Sequence, residues 1–180
     1  MEQNGSEWKK MDERSAVSDV ETWKSMFLGR YDQTLGTGGR IVLPSKFSDI
    51  IGNYYDSQVA ANYSFKDPES KKVVVIPVKI LAKWIAGIRK HMKVSEQANL
   101  YFNYLSSFLT PKFDEKQGRL VVPQSLRNGR LNKEIVILGK QDHMVIWDKN
   151  FYDDQVKLEQ AKKEDTVKFL QDTENLDILL

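Results

Sequence analysis

The sequence contains no cysteine and only two histidines, His91 and His143. Without cysteine there are no disulfides, thiol nucleophiles or cysteine-ligated zinc, and two histidines alone cannot complete a metal site. No apolar run approaches the roughly 18 residues that a membrane span requires, and the N-terminal stretch lacks the apolar core of a secretory signal. We therefore expect a cytoplasmic protein that has no cofactor, structural metal or membrane partner.

Catalytic constellations are also missing from the sequence. No Ser-His-Asp set is visible, and His143 falls in an apparent strand, where a structural role is more common than catalysis. The carboxylate pairs Asp114–Glu115 and Asp153–Asp154 lie at a turn and at a helix start, which are common places for solvated or capping side chains. We predict no catalytic residues and no enzyme activity.

Charge is unevenly distributed along the chain, although the net charge is only +2. Residues 26–149 carry 19 basic and 11 acidic side chains, a net charge of +8. Residues 1–25 carry a net −2 and residues 150–180 a net −4. A basic centre between acidic ends indicates an anionic partner for the central region.

A repeat organises this central region. The segment GGRIVLPSKF at 38–47 resembles QGRLVVPQSL at 117–126, with glycine, arginine, valine and proline in common at an offset of 79 residues. VVVIPVK at 73–79 matches HMVIWDK at 143–149 at an offset of 70. A fixed order of matching segments indicates duplication. We predict two units, 26–93 and 94–180, after an N-terminal extension, 1–25, that we expect to be disordered.

Both units have the same predicted order of elements. A strand passes through a glycine-containing turn into a short β-branched strand, a proline opens a short helix, and two strands and a helix follow. In the first unit the strands are 27–35, 40–43, 57–65 and 73–76; in the second they are 108–113, 119–122, 134–138 and 144–147. Units this small bury little alone, so we expect their hairpins to interleave in a pseudo-two-fold barrel.

The remaining helices are predicted from apolar spacing. The helix that closes the first unit has an apolar stripe centred on Trp84, which we expect to be buried. Another helix is predicted at 95–109. The helix that begins at Asn150 has few apolar residues, so we expect it to project or to pack on a neighbouring subunit.

Two longer segments contain the repeated motifs: MFLGRYDQTLGTGGRIVLPSKF at 26–47 and GRLVVPQSLRNGRLNKEIVILGKQDHMVIWDK at 118–149. Together they resemble the MraZ family of transcriptional regulators, and the resemblance covers about residues 26–150. It implies an α+β fold of two tandem AbrB-like swapped-hairpin β-barrel units with flanking helices. It further implies a nucleoid-associated repressor of the division and cell-wall gene cluster that binds double-stranded promoter DNA. Members form homo-oligomeric rings of about eight to twelve subunits, a closed cyclic assembly.

The family's DxxxR turn places an arginine toward DNA, and here these arginines are Arg40 and Arg119. Glu115 stands at the acidic position of the second turn, while the first has glycine there and also at the usual lysine position. A carboxylate four residues before an arginine can hold its guanidinium, so we expect Glu115 to fix Arg119. The predicted DNA-binding residues are Arg40, Arg119, Lys116, Gln117, Thr37 and Arg30, and the turn residues are Gly36, Gly38, Gly39, Glu115 and Gly118.

Two other functions stay open at this stage. The stretch LGTGGRIVLP at 35–44 has the glycines of a phosphate-binding loop, but no Gly-Lys-Ser/Thr follows and the next element is a predicted strand. A nucleotide-binding enzyme is therefore a remote alternative. An antitoxin-like protein-interaction module of the same fold is the nearer one, and it would form a tight heteromeric complex without salt-dependent DNA binding.

Overall fold

The computed structural model describes residues 22–91 and 96–161. Most of the N-terminal extension predicted to be disordered, and the end of the second predicted unit from residue 162, therefore lie outside the described residues. The elements, in chain order, are β1 (Arg30–Thr34), a 3-10 turn (Thr37–Gly39), β2 (Arg40–Val42), α1 (Ser45–Tyr55), β3 (Val59–Tyr63), β4 (Lys72–Pro77), α2 (Val78–His91), α3 (Glu96–Ser106), β5 (Phe113–Asp114), β6 (Arg119–Val121), α4 (Gln124–Arg127), β7 (Glu134–Gly139), β8 (Met144–Asp148) and α5 (Lys149–Ala161).

These elements form an α+β fold with two antiparallel sheets, which confirms the predicted class. One sheet has five strands in the order β1-β7-β8-β4-β3, and the other has three in the order β2-β6-β5. No hydrogen-bonded ladder joins the sheets within the described residues, so the predicted closed barrel is not formed there. The short β5 pairs with β6, and β3 is the edge of the five-stranded sheet, where Ala61 bridges to Leu109.

Three of the six strand pairings of the described residues join the two halves of the sequence. In the small sheet Ile41 lies opposite Leu120, and these are matching positions of the repeat. In the large sheet β4 lies antiparallel to β8, with Val74 opposite Val145. β1 pairs with β7 along its whole length, whereas 108–113, predicted as a strand, contributes only an isolated bridge from Leu109 to Ala61 and the start of β5.

The main core lies between the sheets and α1. Its largest fully buried side chains include Phe27, Phe47, Ile41 and Leu120. The rings of Phe27 and Phe47 meet edge to face with centroids 5.2 Å apart, a favourable aromatic geometry. Because Ile41 and Leu120 enter this core from the small sheet, alternate residues of β2 and β6 must point outward.

A second apolar cluster lies between α2, α3 and the edge of the large sheet. Ala60, Ile76, Leu81 and Leu105 are its buried members. The predicted apolar stripe of α2 faces this cluster, but Trp84 is only partly buried, so the prediction of full burial is wrong. The ring of His143 meets the indole edge to face with centroids 5.7 Å apart, and part of the indole remains at the surface. No helix of the described ranges is long and apolar enough to cross a bilayer.

The start of α5 packs on its own chain. The ring of Phe151 stacks on Trp147 at the end of β8, with centroids 5.9 Å apart. Asp148 is 1% exposed, and its carboxylate accepts hydrogen bonds from the backbone N–H groups of Phe151 and Asn132, each at 3.1 Å. The expectation that this helix projects holds only for the exposed stretch 157–160.

Candidate nucleic-acid interface

The small sheet presents two arginines on one face. Arg40 lies opposite Val121, and Arg119 lies opposite Val42, in the two outer pairs of the β2·β6 ladder, on either side of the pair Ile41 and Leu120. Opposite residues of an antiparallel pair share a face, and diagonal neighbours are separated by roughly 7–8 Å. Arg40 and Arg119 are both exposed and stand on one such diagonal. The pairing thus brings together two side chains that are 79 residues apart in the chain.

The first turn is built from glycines. The backbone N–H of Gly36 donates to the carbonyl of Arg40 at 2.7 Å, and that of Gly39 donates to the carbonyl of Gly36 at 3.1 Å. Gly38 and Gly39 have φ values of 72° and 82°, in the left-handed region that favours glycine. Thr37, between them and Gly36, is exposed. No carboxylate of the described residues forms an ion pair with Arg40.

The second turn positions its arginine through an amide. The guanidinium of Arg119 donates to the Oε1 atom of Gln117 at 2.7 Å. Glu115 instead accepts a hydrogen bond from the hydroxyl of Ser57. The prediction that Glu115 fixes Arg119 is therefore wrong. The reason is local, because the left-handed Gly118 (φ 59°) returns the chain so that Glu115 faces α1, away from the outer face of β6.

Each turn rests on a helix of the other half of the sequence. A Cβ atom at Gly39 would overlap the carbonyl oxygen of Val122 and come within 2.8 Å of Arg127 Nε, at the end of α4. A Cβ atom at Gly118 would lie 2.7 Å from the hydroxyl of Ser48, in α1. The first turn therefore needs glycine at position 39 for close packing as well as for backbone conformation, whereas at Gly118 a serine hydroxyl that can rotate is the nearest atom.

Shallow depressions lie on both sides of the arginine pair. One, of about 410 Å³, is lined by Arg40, Lys112, Asp114, Gln117, Arg119 and Val121. The other, of about 480 Å³, is lined by Gln33, Thr34, Gly36, Thr37, Arg40, Ile41, Val42 and Arg119. The arginines form the ridge between them. Asp114 is the acidic member, and its Oδ1 atom accepts the backbone N–H of Gln117 at 3.2 Å.

Lys116 belongs to this region and Arg30 does not. Lys116 is exposed at the tip of the second turn. Arg30 lies at the far end of β1, where its guanidinium contacts Asp32 at 3.0 Å and Asp153 at 3.6 Å. It also packs over the ring of Tyr152. Arg30 is therefore not part of the surface formed by Arg40 and Arg119, because it lies at the other end of β1 and its guanidinium is paired with carboxylates.

Several residues of this surface were not predicted from the sequence. Val42 and Val121 flank the arginines on the outer face, and Lys112 and Asp114 line a depression. The period-two alternation of β2 and β6, with Ile41 and Leu120 inward, could have identified the valines. Neither half of the sequence contains a comparable signal for Lys112, because its position depends on how β5 pairs with β6. The described residues contain no group of three or more side chains able to hold a metal ion.

The geometry defines an α+β protein whose small antiparallel sheet has an arginine-bearing outer face. A family model described as "MraZ protein, putative antitoxin-like" matches residues 110–172. The Transcriptional regulator MraZ of Finegoldia magna is 30% identical over 125 residues, covering 69% of this chain and 82% of that protein. The protein of the same name from Clostridium acetobutylicum is 30% identical over 128 residues, with the same coverage. That from Clavibacter michiganensis is 25% identical over 142 residues, covering 78% of this chain and 94% of its own length. The chain belongs to the MraZ family.

Proposed function

We propose that this protein is a DNA-binding transcriptional regulator that contacts double-stranded DNA through the outer face of its small sheet. The observation that carries the proposal is the pair Arg40 and Arg119, which share an exposed face and form no ion pair with a described carboxylate. Arginine is the side chain best suited to a bidentate contact with guanine, and it also neutralises phosphate. The names of the relatives support the same function.

The two turns would contribute differently to binding. Gln117 holds the guanidinium of Arg119, so this arginine loses less conformational freedom when it meets a base. Arg40 has no such partner among the described residues, but it follows a glycine turn whose backbone can approach a phosphate closely. We assign Lys116 and Thr37 to phosphate contacts at the tips of the turns. Arg30 is left out because its guanidinium is already paired.

The finer architecture also belongs to this proposal. Each half supplies one strand to the β2·β6 pair and one to the β4·β8 pair, which supports two interleaved swapped-hairpin units at 26–93 and 94–180. We propose that copies of the chain form a ring, so that one modest contact is repeated and gains avidity. Repression of a division and cell-wall promoter, and a place at the nucleoid, follow from the family resemblance.

DNA titration of the full chain and its arginine variants tests the function. Arg119→Ala should weaken specific binding more than Arg40→Ala, because a bidentate base contact is worth about 1–3 kcal/mol and a phosphate contact less. Arg89→Ala, which removes an exposed cation from α2, is the matched control and should change affinity little. Binding should weaken steeply as salt increases.

Several outcomes would contradict the proposal. Full affinity in a folded Arg40→Ala/Arg119→Ala variant would exclude this face as the DNA-contacting surface. A tight heteromeric complex together with salt-independent or absent DNA binding would favour the antitoxin-like module instead. Light scattering at micromolar concentration tests the ring, since a monomer would exclude it. Deletion of residues 1–25 should leave the number of subunits unchanged.

A further inference from the structure

The outer face of the small sheet also carries two aliphatic side chains. Val42 is 52% exposed, although it is the third residue of a strand whose neighbouring Ile41 is 1% exposed. Val121, on β6, is half-buried on the same face. The register places each valine directly opposite an arginine, so that arginine and valine alternate around a four-residue patch. We call Arg40, Val42, Arg119 and Val121 the outer patch.

We infer that Val42 and Val121 recognise the 5-methyl group of thymine next to the guanines contacted by the two arginines. This inference rests on the proposed DNA-binding function. In the major groove thymine is the base that presents a methyl group, and proteins recognise it by apolar contact. The groove is about 12 Å wide and admits a two-stranded β-ribbon, which β2 and β6 supply.

The spacing of the outer patch fits neighbouring base pairs. Opposite side chains of an antiparallel pair lie about 4.5–5.5 Å apart and diagonal ones roughly 7–8 Å apart. Base pairs are stacked about 3.4 Å apart. The two arginines would therefore reach bases about two steps apart, with each valine within one or two steps of an arginine.

The depressions provide the room for this contact. Val121 lines the depression that also contains Lys112, and Val42 lines the one that contains Thr34 and Thr37. Each valine thus lies beside the arginine ridge. When the edge of one base contacts a guanidinium, the neighbouring base of the stack would lie against the valine. Asp114 lies opposite Arg119 in the β5·β6 pair, and its Oδ1 atom accepts the backbone N–H of Gln117. Its negative charge therefore lies on the β5 side of Arg119, across that arginine from Val42.

Single replacement of thymine by uracil tests the inference, because it removes only the methyl group. The probe is the duplex of highest affinity recovered by the full chain from a random-sequence pool, remade with uracil at one thymine position at a time. At the contacted positions affinity should fall about fourfold for each methyl lost. Uracil at the equivalent thymine of every repeat should cause a larger loss where several subunits bind repeated sites.

Valine variants make the assignment specific. Val42→Ala should weaken binding to the thymine duplex and should bind thymine and uracil equally at the one base position that Val42 contacts. Val121→Ala should have the same two effects at a different base position. Leu158→Ala, which truncates a 59% exposed side chain on α5, is the matched control and should keep the full thymine preference. Since Val42 is largely exposed, its truncation should leave the fold intact.

The outcomes separate this inference from the function on which it rests. Equal affinity for thymine and uracil at every position would overturn the inference and leave DNA binding intact. A thymine preference that survives both valine substitutions would also overturn it. Failure to recover any bound duplex would overturn the inference and the proposed function together.

Discussion

Gly38 and Gly39 offer a paired test of how the first turn is built. Both have left-handed backbone conformations, with φ values of 72° and 82°. Their surroundings differ, because a Cβ atom at Gly38 would meet no atom of the described residues within 4 Å. A Cβ atom at Gly39 would overlap the backbone carbonyl of Val122, and this strand cannot move away without disturbing its pairing with β2. Alanine at the two positions therefore isolates packing from conformation.

The expected free energies follow from these contacts. Left-handed alanine costs about 1–2 kcal/mol, and both variants share this cost. At Gly39 the carbonyl also accepts the backbone N–H of Val122 at 2.8 Å. Displacing that buried hydrogen bond adds about 1–3 kcal/mol. Gly39→Ala should therefore be less stable than Gly38→Ala by about 2 kcal/mol, which corresponds to roughly 4–8 °C in melting temperature for a chain of this size.

Circular dichroism during thermal and urea unfolding measures the difference. Both variants must be compared at the same protein concentration, because assembly makes apparent stability depend on concentration. Equal melting temperatures for Gly38→Ala and Gly39→Ala would refute the close approach between the first turn and Val122. A large loss in Gly38→Ala would show that this turn contacts a neighbour outside the described residues.

Three further predictions concern the second apolar cluster and the cap of α5. Trp84→Ala should destabilise the protein by about 2–3 kcal/mol, below most of the roughly 3–5 kcal/mol that truncation of a fully buried aromatic costs, because the indole is only partly buried. Urea unfolding measures this loss. Asp148→Ala should cost about 3 kcal/mol and Asp148→Asn less, because alanine leaves two backbone N–H groups without their acceptor; the same unfolding curves compare them. Burial, assisted by nearby Tyr101, raises the pKa of Tyr104 to about 12, so ultraviolet titration should show one tyrosine ionising near pH 12. Because that folded-state pKa is above the unfolded value near 10, this group's contribution to stability should be complete below pH 10 and lost as the pH rises toward 12, and Tyr104→Phe should remove that dependence.

Local sequence patterns predicted most elements of the fold. The β7–β8 hairpin and the helices opened by Pro44 and Pro123 formed as expected, because alternation and proline act over a few residues. The stretch 108–113 is not one continuous strand, because its two ends join different sheets: Leu109 bridges to Ala61 of the large sheet, and Phe113 pairs with Leu120 of the small sheet. Pro111, which has no backbone N–H, lies between them. A local apolar pattern does not contain this division.

The candidate site was predictable in its residues but less so in its contacts. The repeat identified Arg40 and Arg119, yet their shared face depends on the register of β2 against β6. The spacing of Glu115 and Arg119 across a turn predicted an ion pair, but spacing does not contain the backbone conformation of that turn. With Gly118 in a left-handed conformation, the glutamate turns toward Ser57 and the amide of Gln117 takes its place.

The two turns therefore each place an arginine on the outer face of the small sheet, but they do so with different side chains. In the second, Gln117 orients Arg119 and Lys116 adds charge at the tip, so side chains determine what can be bound. In the first, the equivalent positions are glycine and threonine, and only Arg40 carries charge. Both turns are nevertheless supported from beneath by a helix of the opposite half, at Arg127 and Ser48. Because the support is shared and the tips differ, the two halves of one subunit should make unequal contacts on DNA. A site bound by this protein should accordingly be less symmetric than its repeated fold.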